Sequence, residues 1–481
     1  EVVLAIYLKH GLWGLRRLEG MFCVVVFDAD CMYAIRDRFG IKPLYFATAT
    51  DRLWDCSEKK GLLQVLSATR VDLQSAADVA VQGYPSDHFT HIEGVKSLPP
   101  GSLLTVNRSA DRLSFCIDRF FERPRRNPTR TGNLGDYVEE LRHLLVRSIS
   151  LQTAGEIACN FALSGGVDSA ALVALAATEM PALPRVHCVA DAADNPDLVQ
   201  ARSIAGVLGC SLHESLFSYS DYCRSVATSV WIEERPSSLS ALPFGFLAQS
   251  MSATSKIAIS GEGSDELFAG YTCYVEGPVR AKGRLAQVAK LRAGGLDPRS
   301  TTVLAAERES QTKPGTDYAE AMLERIFWER LQFNHLELAD RYFMAFGVEC
   351  RVPFLDEALV DYAFSLPQPY KVDHAAGIQK VVLRCLLAGL HPVMAFSSLR
   401  RKQGLPGAAS RHARRLTAEL EGYVAQYQTD EARRVGLHGP RALSWDLFHA
   451  IHLEGRGARP DPLLAYRFAQ AQGIQLGGSS P

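Results

Sequence analysis

Six residues, Ser164-Gly165-Gly166-Val167-Asp168-Ser169, constrain this chain more than any other stretch, because the runs on either side fix their surroundings. Residues 157–163 are apolar and short enough for a buried strand, and residues 170–177 form an Ala/Leu run of high helix propensity. Glycines at such a strand-to-helix turn permit a tight bend and close backbone approach. The N–H groups of Ser164, Gly165 and Gly166 can then converge on an anion at the positive end of the helix. The reading is a phosphate loop, with an ordinary Gly-rich turn as the alternative. The lysine of G-x-x-x-x-G-K-[ST] is missing, so the loop is not of the Walker type.

Beyond the loop, short strands and helices alternate. Strands are expected over 186–190, 211–216 and 256–260. Helices are expected over 198–208, stopped by Gly209, over 222–231, and from Pro243 to Met251 after a Pro/Ser-rich loop. This order implies an α/β fold, a doubly wound parallel sheet whose ligands bind at the carboxyl ends of the strands. Ser164 and Ser260 both fall at such ends. A second motif starts at Ser260-Gly261-Glu262-Gly263-Ser264-Asp265-Glu266, with three carboxylates in five residues. Crowding them is costly unless a cation or a proton-transfer task compensates. Mg²⁺ takes one or two carboxylates plus substrate phosphates, which fits Asp168 and Asp265. Glu266 is expected to cap the helix that follows.

With 481 residues the chain has room for two to four domains. A net charge of −1 offers no global basic surface for nucleic acid. No apolar run approaches the ~18 residues of a membrane span. Eleven scattered cysteines without a C-x-x-C pair read as reduced core thiols of a cytoplasmic protein, not a zinc site or a disulfide frame. The chain opens at Glu1 inside an apolar helix ended by Gly11, so an earlier segment is expected to be missing. Strands follow at 21–27 and 32–35. Residues 120–134, rich in Arg and Pro, mark a linker, and a helix carrying Tyr137, Leu141, Leu144, Leu145 and Ile149 leads to the phosphate loop. Residues 278–317 lose pattern and read as a mobile or variable insertion. Arg351 and Asp356 are spaced to pair across a turn. Residues 377–390 read as helix, and the basic stretch around Lys402 is a solvated loop or places one lysine on a polyphosphate.

Several of these segments carry a resemblance. Ser-Gly-Gly-x-Asp-Ser is similar to the pyrophosphate loop of ATP pyrophosphatases, which cleave ATP to AMP and pyrophosphate. Arg36-Asp37-Arg38-Phe39-Gly40-Ile41-Lys42-Pro43-Leu44-Tyr45, Ser57 to Lys60 and Leu98 to Gly101 resemble, in order, the glutamine amidotransferase half of class B asparagine synthetases. Ser260 to Tyr271, Arg351 to Asp356 and Lys402 extend the likeness to about Pro406. The resemblance implies residues 1–119 as the C-terminal part of an N-terminal-nucleophile-type α+β amidotransferase domain and 135–410 as a synthetase domain of the ATP pyrophosphatase type. A helical tail occupies 411–481. It also implies ATP and Mg²⁺ as cofactors. Leu163, Ser164, Gly165, Gly166, Asp168, Ser169, Ser260 and Gly261 would hold ATP and its pyrophosphate. Asp168 and Asp265 would bind the metal, Glu262 would handle protons in amide formation, and Lys402 would stabilise the phosphates.

The family's cysteine nucleophile and glutamine pocket precede Glu1, so free ammonia is the expected nitrogen donor of the chain as written. Cys23 and Cys31 lack the free α-amino group that would serve as base and are expected to pack in the core. The partners expected are small molecules, namely aspartate or another carboxylate with glutamine or ammonia, without nucleic acid or membrane and with a homodimer as the assembly. Two departures leave the acceptor open. Arg235-Pro236-Ser237-Ser238-Leu239-Ser240 lacks the acidic and small residues of the family's loop there, and Ala190 to Asp194 is also unusual. Besides aspartate amidation, the sequence admits an amide- or lactam-forming relative in peptide or antibiotic biosynthesis, and a non-catalytic ATP-binding scaffold.

Overall fold

The computed structural model of the chain describes all residues except 30, 110–111, 125–130, 277–278, 313–315, 392–393, 395–408, 428 and 478–481. The N-terminal part opens with helix Val2–Gly14, kinked at Gly11, where φ is 66°. Strands β1 (Cys23–Asp28), β2 (Cys31–Arg36), β3 (Tyr45–Thr48), β4 (Leu53–Cys56), β5 (Val95–Ser97), β6 (Ser102–Ser109) and β7 (Arg112–Arg119) follow. They form two antiparallel sheets, ordered β1-β2-β6-β7 and β4-β3-β5. Between them pack Ala34, Leu44, Phe46, Leu98, Leu104 and Val106.

The Arg36 to Tyr45 run is buried where a charge is expensive, so its partners explain it. Arg36 donates to the carbonyls of Lys42 (2.6 Å), Leu98 (2.5 Å) and Gly40 (2.8 Å). Asp37 accepts from the N–H groups of Ile41 and Lys42, each at 2.9 Å. Every charged head is thus hydrogen-bonded, the condition for burying it.

The second part holds a five-stranded sheet, all neighbours parallel. Its strands are β8 (Asn160–Ala162), β9 (Arg185–Ala190), β10 (Leu212–Leu216), β11 (Ile257–Ile259) and β12 (Glu349–Arg351), in the order β10-β9-β8-β11-β12. The chain winds outward one way through β9 and β10, then the other way through β11 and β12. The reversal falls between β8 and β11, and a crevice opens at such a switch point. Helix Val167–Glu179 is the central element, with every residue from Ala170 to Ala176 at most 2 % exposed. Burying Leu172, Val173 and Leu175 stabilises it by about 1.5–3 kcal/mol each.

Most expected elements appear within two or three residues of their bounds, with four exceptions. The strand before the phosphate loop is shorter than 157–163, and Ile157 is exposed. Residues 278–317 are not patternless. Helices Val279–Ala293 and Ser300–Gln311 occupy them, with Val288, Leu291, Leu296 and Val303 buried. Arg299, which precedes the second of these helices, clasps Asp72 and Asp78 of the N-terminal part at 2.8 and 2.7 Å. Arg351 and Asp356 do not pair. Arg351 meets Glu349 at 2.7 Å, whereas Asp356 takes Arg147 at 2.9 Å and caps helix Glu357–Ser365. The last helix there runs only over Val381–Leu390, because residues 378–379 pair with 372–373 as a small hairpin.

A buried ionic cluster welds the two parts. Lys59 Nζ meets Glu337 at 2.8 Å, Lys60 meets Glu234 at 3.2 Å, and Arg341 bridges Glu234 and Glu337. Burial pushes the Glu234 carboxyl up, but Arg341, Lys60 and Lys59 override it and hold it at about 2. Glu337 is likewise raised by burial and pulled well below its ordinary value by Lys59 and Arg341.

Candidate active site

The phosphate loop joins β8 to helix Val167–Glu179, with Gly166 at the N-cap and Gly165 at φ 69°, a backbone that favours glycine. The Ser169 hydroxyl ties the loop down. It accepts from Ser164 N at 3.1 Å, lies 3.2 Å from Ser164 Oγ and donates to the Gly166 carbonyl at 3.3 Å. Leu163, Ser164, Gly166, Asp168 and Ser169 line one cavity together with Ser260, Gly261 and Glu262 from the loop after β11. The two motifs meet there because β8 and β11 are adjacent. A Cβ at Gly261 would stand 3.0 Å from Asp168 Cβ, so the residue's small size sets how closely the loops approach. Ser264 Oγ then donates to Asp168 Oδ1 at 2.7 Å. The opposite wall, with Cys188, Val189, Phe244 and Leu247, is apolar.

Among the described residues Asp168 and Asp265 converge on one cation that sequence reasoning missed. Lys380 Nζ lies 2.5 Å from an oxygen of each. Its backbone is left-handed, φ 57°, an uncommon state for a lysine that persists only when its surroundings hold it. Gly270 makes room for the arrangement, since a Cβ there would run into Asp265 Oδ1 and Lys380 Cε. The one hint in the sequence was a lone lysine just before an apolar helix. Two acidic side chains gathered on one positive charge suit a hard cation, and among the described residues no group of three His, Cys, Asp or Glu offers a fuller metal cage. A cation here would complete its coordination from phosphate and water, the habit of Mg²⁺.

Glu262 stands on the other side. Its Oε2 lies 3.3 Å from His335 Nδ1, and His335 Nε2 lies 2.9 Å from the Tyr271 hydroxyl. Tyr271 donates its proton to Glu266. Burial, then the Glu266 charge, holds that phenol well above its ordinary value, so the proton stays on oxygen. Tyr271, having spent its proton, accepts from His335 Nε2, which leaves Nδ1 facing Glu262. Glu266 is therefore not a solvated helix cap. It is 1 % exposed and anchors this relay. Lys402 lies outside the described residues.

The unusual runs also find places. Asp191 accepts from Arg411 N and Asn195 Nδ2, both at 2.8 Å, so that stretch anchors helix Ser410–Glu419. Arg235 donates to the Phe333 carbonyl at 2.8 Å and lines a second, larger cavity behind Glu262. Burial pushes the Cys23 thiol up to about 11, and Cys31 donates to Asn107 at 3.0 Å.

Residues 140–444, more than half of the chain, match the family model described as asparagine synthase. The chain belongs to the asparagine synthase family. Residues 1–115 of this family member match the model of a glutamine amidotransferase domain. It is 27 % identical to asparagine synthetase [glutamine-hydrolyzing] 1 of Bacillus subtilis, over 84 % of this chain and 70 % of that protein. A putative asparagine synthetase [glutamine-hydrolyzing] of Mycobacterium bovis is 28 % identical over 90 % of this chain and 73 % of the relative. For the asparagine synthetase of Rattus norvegicus the figures are 27 %, 80 % and 63 %. The mixed α/β architecture with its parallel sheet agrees with that membership.

Proposed function

We propose that this chain is an ATP-dependent amide-forming ligase of the glutamine-hydrolysing asparagine synthase type. An oxygen of an aspartate side-chain carboxylate attacks the α-phosphorus of ATP, pyrophosphate leaves, and an acyl-adenylate forms. Ammonia, supplied by glutamine or free, attacks the acyl carbon. The C–O bond to AMP then breaks, leaving the asparagine amide. The observation that carries this reading is the meeting of Asp168 and Asp265 on one cation at the sheet's switch point, beside a loop shaped for phosphate.

In this reading Leu163, Ser164, Gly165, Gly166, Ser169, Ser260 and Gly261 cradle the nucleotide phosphates, while the apolar wall of Val189, Phe244 and Leu247 suits the base. Asp168 and Asp265 would hold Mg²⁺, which when bound neutralises phosphate charge. Lys380 keeps the two carboxylates compensated and must yield part of that contact as the metal enters. Glu262 takes the proton that ammonia loses on attack, and His335, itself held by Tyr271, keeps it in position. Lys402 is proposed to stabilise the departing pyrophosphate. The fold is then of the ATP pyrophosphatase type behind part of an N-terminal-nucleophile-type domain, divided at 1–119, 120–134, 135–410 and 411–481. Incubation with ATP, Mg²⁺, an aspartyl acceptor and ammonium or glutamine should release AMP, pyrophosphate and amide in equal amounts. ADP in place of AMP would refute the assignment.

A further inference from the structure

Two π-helical turns, Ile326–Arg330 and Gln332–Leu336, bring Arg330 and His335 to the cavity behind Glu262. Hydrogen bonding from i to i+5 widens a helix, so residues five apart lie one turn from each other on the same face. In an α-helix of about 3.6 residues per turn, the same five steps would carry the side chain about 140° away. The π geometry thus lets Arg330 share a cavity with His335, the partner of Glu262. Such turns are frequent at functional sites.

Among the described residues, Arg235, Lys290, Arg330 and Arg441 line this cavity, and three of them are accounted for. Arg235 is tied to Glu233 at 3.4 Å and to the Phe333 carbonyl at 2.8 Å. Lys290 and Arg441 are exposed, so water meets their charge. Arg330 is half-buried and makes no hydrogen bond or ion pair among the described residues. The acids of the site are already engaged, Glu262 with His335, Glu266 with Tyr271 and Asp265 with Lys380. A guanidinium drawn out of water without an anion is costly, and its planar fork of N–H donors matches a carboxylate. It lies over the Tyr271 ring, 4.6 Å from the centre. The ring holds its face by cation–π attraction, whereas the N–H donors lie on its edge.

Aspartate carries two carboxylates, and the proposed chemistry activates only one. Resting on the amide-forming reading above, we infer that Arg330 binds the α-carboxylate of the aspartate acceptor and so leaves the side-chain carboxylate as the one that attacks ATP. Tyr271 joins the two ends of this arrangement. Its ring supports Arg330, and its hydroxyl accepts from His335, which holds Glu262. Substrate anchor and proton acceptor are thus set against one side chain, and holding the α-carboxylate fixes the acyl carbon relative to Glu262. The bonds made and broken are those already written, since Arg330 donates hydrogen bonds and exchanges no proton.

The test follows AMP release and the acid-to-amide mass change with ATP, Mg²⁺ and ammonium for two acceptors. One is L-aspartate, and the other is its α-amide, which keeps the α-ammonium and the side-chain carboxylate but lacks the group assigned to Arg330. Wild type should prefer aspartate in kcat/KM by roughly a hundredfold. Arg330→Gln should raise KM for aspartate by roughly the same factor with kcat retained, and should leave the α-amide little changed. Arg330→Lys, which keeps the charge without the fork, should fall between wild type and Arg330→Gln for aspartate. Equal use of both acceptors by wild type would overturn the inference and leave the proposed function standing. An equal loss for both acceptors in Arg330→Gln would confine Arg330 to supporting Tyr271 and overturn the inference as well. If Arg330→Gln does not fold, the wild-type comparison and Arg330→Lys decide. No AMP from aspartate with wild type would overturn the proposed function and this inference together.

Discussion

His335 Nδ1 lies 3.3 Å from Glu262 Oε2, and the opposite nitrogen of the ring is already committed to Tyr271. The imidazole thus fixes the carboxylate proposed to take the proton from ammonia. Removing a positioned general base is typically worth ~10²–10⁴ in rate. Glu262→Gln should therefore slow amide formation far more than the first turnover of AMP, with acyl-adenylate leaking to water. His335→Gln should show the same split, weaker by about tenfold. Rapid-quench measurement of AMP and amide in one reaction checks both. Equal losses of the two products would remove Glu262 from this step.

Lys380 Nζ bridges Asp168 and Asp265. Its replacement by Ala removes one positive charge from between two largely buried carboxylates, a loss of about 2–4 kcal/mol. The melting temperature of Lys380→Ala should fall without metal and recover on addition of MgCl₂ by more than wild type gains. Failure to recover would place the metal elsewhere.

Gly270→Ala tests the same geometry from the backbone side. The added methyl collides with Asp265 and with Lys380, so one of them must leave its place. A displacement of about 1 Å can cost ~10²-fold in rate. AMP formation should drop by that order while circular dichroism stays that of the folded protein.

The cluster of Glu234, Glu337, Arg341 and Lys59 makes stability acid-sensitive. The folded Glu234 carboxyl titrates at about 2, below its ordinary 4.5, so between those values the unfolded chain binds more protons. This stabilisation is complete above pH 4.5 and is lost as pH falls toward 2. Urea midpoints at pH 7 and pH 3.5 should differ by more in wild type than in Glu234→Gln, which has no such carboxylate to titrate. Identical pH dependence in the two proteins would refute the assignment.

Local chemistry was legible and distant chemistry was not. The turn around Gly165 and the carboxylates after β11 could be read because glycine content, apolar periodicity and strand-end position are properties of neighbouring residues. Lys380 is 212 residues from Asp168, and its one local sign, a place just before an apolar helix, does not name that contact. His335 was hidden for the same reason, being brought to Glu262 by π-helical turns that have no simple sequence pattern. Arg351 and Asp356 misled in the opposite sense. Their spacing suits a pair, yet Glu349 and Arg147 offered each a nearer partner. The helices after Val279 escaped notice because their weak amphipathic pattern is completed only by docking, through Arg299, on the N-terminal part.

Helix Leu73–Gln82 sits in the part of the chain that resembles an amidotransferase, yet one of its faces borders the cavity behind Glu262. The phosphate loops alone are therefore not a minimal synthetase. In the proposed reaction, excising residues 1–119 would open that cavity on one side and admit bulk water to an activated acyl group that hydrolysis destroys. Containment of a labile intermediate, independent of any handling of glutamine, is reason enough for this domain to travel with the rest.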